Sequence, residues 1–210
     1  MKIIYEPVKI KVDSKKLGKI VKDYGDAFIA FTAQYADVFK KFKNSGLVLG
    51  CDVSSINNYK GNTIIFVGDG VFHPLMIKKE YIDKKVLVLN PIDYSVKEIN
   101  EADVKKFITR EAMMLLKLKE SKKVGVIISS KPGQERMKLA ELLKKKLELE
   151  GKKVYLFLAE TVNPDEFMNY SKMDLLINTA CPRLALDDYE KFPTPVINYS
   201  AVLSKYFKNQ

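Results

Sequence analysis

Cys51 and Cys181 are the only cysteines among the 210 residues, and each stands at the end of a short apolar run, Cys51 in LVLGCDVSS and Cys181 in DLLINTACPRLALDD. The run Leu175, Leu176, Ile177 has the length and apolarity of a strand buried on both faces, and Asn178, Thr179 and Ala180 then carry the chain out of the sheet. A cysteine in that place marks the carboxyl end of a parallel strand, the edge at which open α/β sheets bind ligands. A soft thiolate there suits zinc, copper or an iron-sulfur cluster, while a small buried hydrophobe is the alternative. Two thiolates from such loops approach one another only if the sheet edges of two halves face across a cleft. Zinc is disfavoured because a structural site wants four ligands in paired spacing, and two cysteines are too few to hold a cluster alone. Their wide separation also excludes a disulfide framework.

Two further loops carry polar or small residues that a core does not require. One reads Gly68, Asp69, Gly70, Val71, Phe72, His73, Pro74, and the other Ser129, Ser130, Lys131, Pro132, Gly133, Gln134, Glu135, Arg136. The GDG at 68–70 most simply makes a tight turn. His73 is the sole histidine, and beside a proline it serves either as a loop hydrogen-bonder or as an acid or base. KPGQER has the look of a phosphate-contacting helix start but lacks P-loop spacing, and no GxGxxG follows any strand.

The elements that must position these loops read as alternating strands and helices, the grammar of a parallel α/β sheet with crossover connections. The first residues give extended segments at 3–5 and 8–12 and a short helix from Ser14, whose hydroxyl is the expected cap. Strands follow at 27–32, 47–49, 63–67 and 86–89, with a helix at 35–42. Residues 101–121, capped by Asn100, form one long helix with a broad apolar face. The pattern then resumes with strands at 124–128, 154–158, 175–177 and 196–197, and helices at 134–150, near 164–170, near 184–189 and up to 207. The expected fold is two tandem Rossmann-like α/β units, 1–100 and 122–210, each a mostly parallel sheet of about four strands, joined by the helix 101–121.

Lysine and arginine total 36 against 26 acidic residues, a net charge of +10, with Arg110, Arg136 and Arg183 the only arginines. A basic surface attracts anionic partners, yet the lysines are spread along the chain and alternate with glutamates as on solvated helix faces. No basic patch is interleaved with stacking aromatics, which argues against a nucleic-acid groove. No apolar run approaches the roughly 18 residues of a membrane span, and MKIIYEPVKI lacks a signal-peptide layout, so the cytoplasm is the expected compartment.

At these motifs the chain resembles the diphthamide-synthesis radical enzymes, the 2-(3-amino-3-carboxypropyl)histidine synthases. The resemblance rests on LVLGCDVSS at 47–55, FVGDGVFHPL at 66–75, KPGQERMKLAELLKKKLELEGKKVYLF at 131–157 and DLLINTACPRLALDDYEKFPTPVINYSAV at 174–202. It implies a fold of repeated α/β domains, three in the family, each giving one cysteine to a 4Fe-4S cluster whose open iron binds S-adenosyl-L-methionine. It further implies transfer of a 3-amino-3-carboxypropyl group to a histidine of translation elongation factor 2. By motif position Cys51 matches the second-domain ligand and Cys181 the third-domain ligand. The chain resembles those two domains without the first, so the resemblance implies a homologous chain that supplies the missing domain and third cysteine, with a dimer as the family habit. A non-catalytic partner or scaffold without its own cluster is the alternative, and a nucleotide-binding or sugar-transfer enzyme with structural cysteines is a third reading. Around a sulfonium the expected contacts are Asp69, Gln134, Arg136 and Arg183, with His73 and Arg183 as catalytic candidates. Arg183 either grips the methionine carboxylate or pairs with Asp187 or Asp188 at helical spacing.

Overall fold

Apolar runs separated by amphipathic segments pair edge to edge as parallel strands, and the computed structural model of the protein describes the result for residues 10–170 and 172–208. Backbone contacts divide the chain into two units, Met1–Lys105 and Lys106–Gln210. The division falls inside the long helix at 101–120 rather than to either side of it.

In the first unit, helix α1 (Ser14–Lys22) precedes strand β1 (Phe28–Phe31), the single helical turn α2 (Ala36–Phe39) and strand β2 (Ser45–Leu47). Strand β3 (Thr63–Val67), helix α3 (Phe72–Glu80) and strands β4 (Lys85–Leu89) and β5 (Val96–Glu98) follow, and helix α4 (Glu101–Glu120) begins in this unit and continues into the second. The sheet order is β2-β1-β3-β4-β5, parallel except for the antiparallel β5. On one face Ile29, Phe31, Ile65, Val67, Leu87 and Leu89 pack against Leu17 and Val21 of α1 and Phe39 of α2, the alternate residues of each strand sharing that face.

The second unit contains β6 (Lys123–Ser129), α5 (Met137–Leu149), β7 (Lys153–Ala159), β8 (Leu175–Asn178), β9 (Val196–Asn198) and α6 (Tyr199–Ala201), which runs on as a π-helical turn at Val202–Tyr206. Its order is β7-β6-β8-β9, all parallel. Val124, Val126, Ile128, Leu175 and Ile177 pack beneath Leu143 and Leu147 of α5, while Ile127 and Leu176 point to the opposite face with Phe167 and Phe192. Both faces are covered, which explains why these strands read as continuous apolar runs.

The sheets number five and four strands, and the extra one is β5, three residues too short and polar to announce itself. The strand expected at 47–49 lies two residues earlier, because pairing with β1 begins at Ser45, and 49–52 instead closes as a turn. Helix α3 begins at Phe72, inside the loop read at 68–74; Pro74 is tolerated because the first helical turn needs no intrahelical N–H. The helix expected at 35–42 shrinks to α2 behind a 3-10 turn, and the segments near 164–170 and 184–189 are 3-10 turns at Pro164–Tyr170, Pro182–Ala185 and Tyr189–Lys191. Asp13, not Ser14, caps α1, accepting from the Lys16 amide at 2.9 Å. Asn100 does cap α4 through the Ala102 amide. The segment expected at 3–5 lies outside the described residues, and 10–12 forms no strand.

Candidate functional site

All four loops singled out by residue type leave the carboxyl ends of parallel strands: β2, β3, β6 and β8. Both sheets share one strand order, with β1, β2, β3 and β4 taking the places of β6, β7, β8 and β9. Cys181 follows β8, so its counterpart in the first unit is the Asp69 loop after β3, whereas Cys51 follows β2. The two cysteines therefore do not occupy the similar place that their sequence settings suggested.

In the first unit the Cys51 turn is closed by two backbone hydrogen bonds between Leu49 and Asp52, of 2.8 and 3.1 Å, which leave the Cys51 thiol free and exposed. Asp52 accepts from the Ser54 amide at 2.9 Å, and its hydrogen bonds to Ser54 hold its carboxyl below the usual range. Gly50 lies against the ring of Phe72, the first residue of α3. Phe72 meets His73 edge-on at 5.1 Å, and His73 stacks on Phe66 of β3 at 5.3 Å with 12° between the planes. Contacts through Phe72 thus join the Cys51 turn to the Asp69 loop, where Gly70 adopts a φ of 76° in the tight turn its sequence suggested. Asp69 is exposed, and together with burial its charge raises the pKa of buried Tyr35. A cavity of about 360 Å³ beside Asp69 is lined also by Val71, Leu75, Asn90, Asp93 and Asp103.

In the second unit Gln134, Arg136, Cys181 and Arg183 are drawn to one edge. Arg136 Nη1 donates to the carbonyl of Thr179 at 3.0 Å and more weakly to that of Gln134 at 3.4 Å, and the guanidinium lies 5.3 Å from the Tyr199 ring. The 131–136 loop is thereby tied to the cysteine loop. Arg183 Nε donates to Asp187 Oδ2 at 2.6 Å, so the helical-spacing ion pair is formed, and this bond is the main reason the guanidinium pKa is raised.

Asn178, Asn198, Thr179 and Arg110, none of them expected from sequence as a binding, catalytic or metal residue, build the Cys181 loop. Asn178 ends β8 and Asn198 ends β9, and they are cross-strand partners. Asn178 Nδ2 donates to the Cys181 carbonyl at 2.8 Å and to Asn198 Oδ1 at 2.8 Å, while Asn178 Oδ1 accepts from the Ala180 amide at 3.0 Å. Asn198 Nδ2 donates to the Pro182 carbonyl at 3.0 Å. Thr179 binds the Ile127 carbonyl of β6 through both its amide and its hydroxyl. Arg110, half-buried on α4, donates to the carbonyls of Ala185 at 2.7 Å and Val196 at 3.2 Å and stacks 3.5 Å over the Tyr189 ring. Cys181 itself is free and half-buried.

Among the described residues no three His, Cys, Asp or Glu side chains converge on one point as a metal site requires. Each unit offers one thiol. No helix among the described residues is long and apolar enough to cross a membrane.

Residues 1–202 match the family described as "Putative diphthamide synthesis protein". The chain is 37% identical over 172 residues to the 2-(3-amino-3-carboxypropyl)histidine synthase of Methanocaldococcus jannaschii, an alignment covering 80% of this chain and 48% of that protein. It is 34% identical to the enzyme of the same name from Pyrococcus horikoshii, over 72% of this chain and 43% of the relative. It thus spans about half the length of these relatives. The crystal structure of Dph2 from Pyrococcus horikoshii with a 4Fe-4S cluster superposes with a TM-score of 0.76 and 27% identity, covering 92% of this chain and 63% of that one. By sequence and by fold, the chain belongs to the diphthamide synthesis protein family.

Proposed function

We propose that the chain contributes Cys51 and Cys181 as thiolate ligands of a 4Fe-4S cluster in a 2-(3-amino-3-carboxypropyl)histidine synthase of diphthamide synthesis. The observation that carries the reading is that both cysteines are free thiols, each on a loop leaving the carboxyl end of a parallel strand, in a chain of this family. Sulfur donors of this kind fit iron, and a related Dph2 carries such a cluster. The 210 residues hold only these two cysteines, so any further thiolate comes from outside them, in our reading from a homologous chain.

Held by these thiols, such a cluster would supply an iron for the sulfonium of S-adenosyl-L-methionine, and the 3-amino-3-carboxypropyl group would pass to a histidine of translation elongation factor 2, leaving methylthioadenosine. In this reading the residues of this chain bind and orient. Asp69, Gln134 and Arg183 stand on the edges that carry the thiols and offer charges and hydrogen bonds to a carboxylate, an amine and a ribose. Arg136 shapes the site by fixing the Thr179 carbonyl, and His73 by stacking on Phe66 while meeting Phe72 edge-on.

Anaerobic purification of the chain from native cells, with iron analysis and identification of the chains that accompany it, tests this reading. A brown, oxygen-sensitive complex is expected, and Cys51→Ser or Cys181→Ser should each lower its iron content. An iron-free complex, or iron unaffected by both serines, would overturn the reading and leave a scaffold.

A further inference from the structure

We infer that the buried pair Asn178 and Asn198 is a positioning device for the Cys181 thiol. The inference rests on the reading of Cys181 as a ligand, but goes beyond it by naming what aims the sulfur. A thiolate ligand must leave its backbone at a fixed angle, yet Cys181 lies in a loop between a strand end and a 3-10 turn, with no sheet pairing of its own. Such a segment is ordinarily among the looser parts of a fold.

Here the backbone is anchored from within at Cys181 and at both of its neighbours. The Ala180 amide is held by Asn178 Oδ1, the Cys181 carbonyl by Asn178 Nδ2 and by the Leu184 amide at 3.1 Å, and the Pro182 carbonyl by Asn198 Nδ2. The two side chains are joined to each other, so neither amide rotates alone. Asn178 is fully buried and Asn198 is 5% exposed, which removes the competition from water that would weaken surface contacts of the same kind. Their placement follows from parallel pairing: the register that sets Asn178 beside Asn198 puts both amides at the last rung of the sheet, under the loop. A pair that served only to fill the core would have no reason to direct three of its bonds at one cysteine and its two neighbours. Leucine, with the same branched skeleton, would serve a core there without polar atoms.

The test uses the accessible thiol in the other unit as an internal standard. The native chain is treated with N-ethylmaleimide under reducing conditions without iron, and labelling of Cys181 and Cys51 is followed separately by mass spectrometry. Asn178→Leu keeps the branched skeleton and removes every side-chain hydrogen bond; it should raise the Cys181 rate several-fold relative to Cys51. Asn198→Asp keeps an acceptor for Asn178 and, while its new carboxyl is protonated, a donor to the Pro182 carbonyl. Its Cys181-to-Cys51 ratio, divided by that of the wild type at the same pH, should lie near one in acid and rise as the carboxyl ionises. A role in stability alone would not give this acid rescue at one thiol. Unchanged ratios in both variants, or acceleration of both thiols together, would overturn the inference. If Asn178→Leu does not fold, the pH profile of Asn198→Asp decides alone. Because labelling is read without iron, failure of the cluster reading and failure of the positioning inference are separate results.

Discussion

Gly50 is the residue on which the Cys51 turn depends. A Cβ built there would stand 1.6 Å from the Phe72 ring, well inside any allowed contact, so the glycine is required by close approach. Gly50→Ala forces Phe72 aside and should cost about 1–3 kcal/mol in urea unfolding, the range for overpacking a tight contact. The displaced ring should also move the His73 resonances, since His73 packs between Phe72 and Phe66. Arg110 plays the corresponding part for the second unit. Arg110→Lys retains a charge but cannot span the Ala185 and Val196 carbonyls while stacking on Tyr189, and a loss of about 2 kcal/mol is expected, as for a charged hydrogen-bond donor removed from a half-buried place. Denaturant titration against the wild type checks it. At this scale the sequence is legible where chemistry is rare: two cysteines and one histidine stand out by type. The asparagines behind Cys181 do not, because Asn178 and Asn198 meet only through the register of two strands twenty residues apart.

Strands buried on both faces are the elements easiest to read, since Thr63–Val67 and Leu175–Asn178 are apolar at every step but the ends. Short elements are lost where tertiary pairing decides them. Helix α3 hides behind a proline in its first turn, and β5 exists because the exposed edge of β4 is there to pair with. One pairing has its own pH signature. Asp174 Oδ2 accepts from the amides of Lys122 and Lys123, both at 2.8 Å, just before β8 joins β6. These amide bonds, chiefly that of Lys123, hold its pKa below the ordinary 3.8. A carboxylate whose folded pKa is depressed adds stability that is fully present above the unfolded value and is lost as pH falls through the folded one. Asp174→Asn should therefore be less stable than the wild type near neutrality, and the gap should narrow below pH 3.8, where the carboxylate becomes protonated. Thermal unfolding of both proteins across the acid range measures the gap, and one that stays constant with pH would remove Asp174 from the account.

For the molecule as a whole, the repeating alternation of strand and helix makes two units legible in the order of residues alone, and both sheets do follow one strand order. The alternation is silent about which strand ends carry the thiols. A place in a sheet depends on strand order rather than sequence order, and this is why Cys51 and Cys181 look equivalent along the chain and are not equivalent in the fold. Each unit also encloses its own apolar cluster: Ile65 is fully buried among residues of the first, Leu143 among residues of the second. Truncating either to alanine should cost about 2–5 kcal/mol, the range for emptying a packed aliphatic site. If the two clusters are energetically separate, Ile65→Ala should speed amide hydrogen exchange in β1, β3 and β4 and leave β6 and β8 protected, with Leu143→Ala giving the converse. Loss of protection throughout the chain from either substitution would instead show one cooperative body.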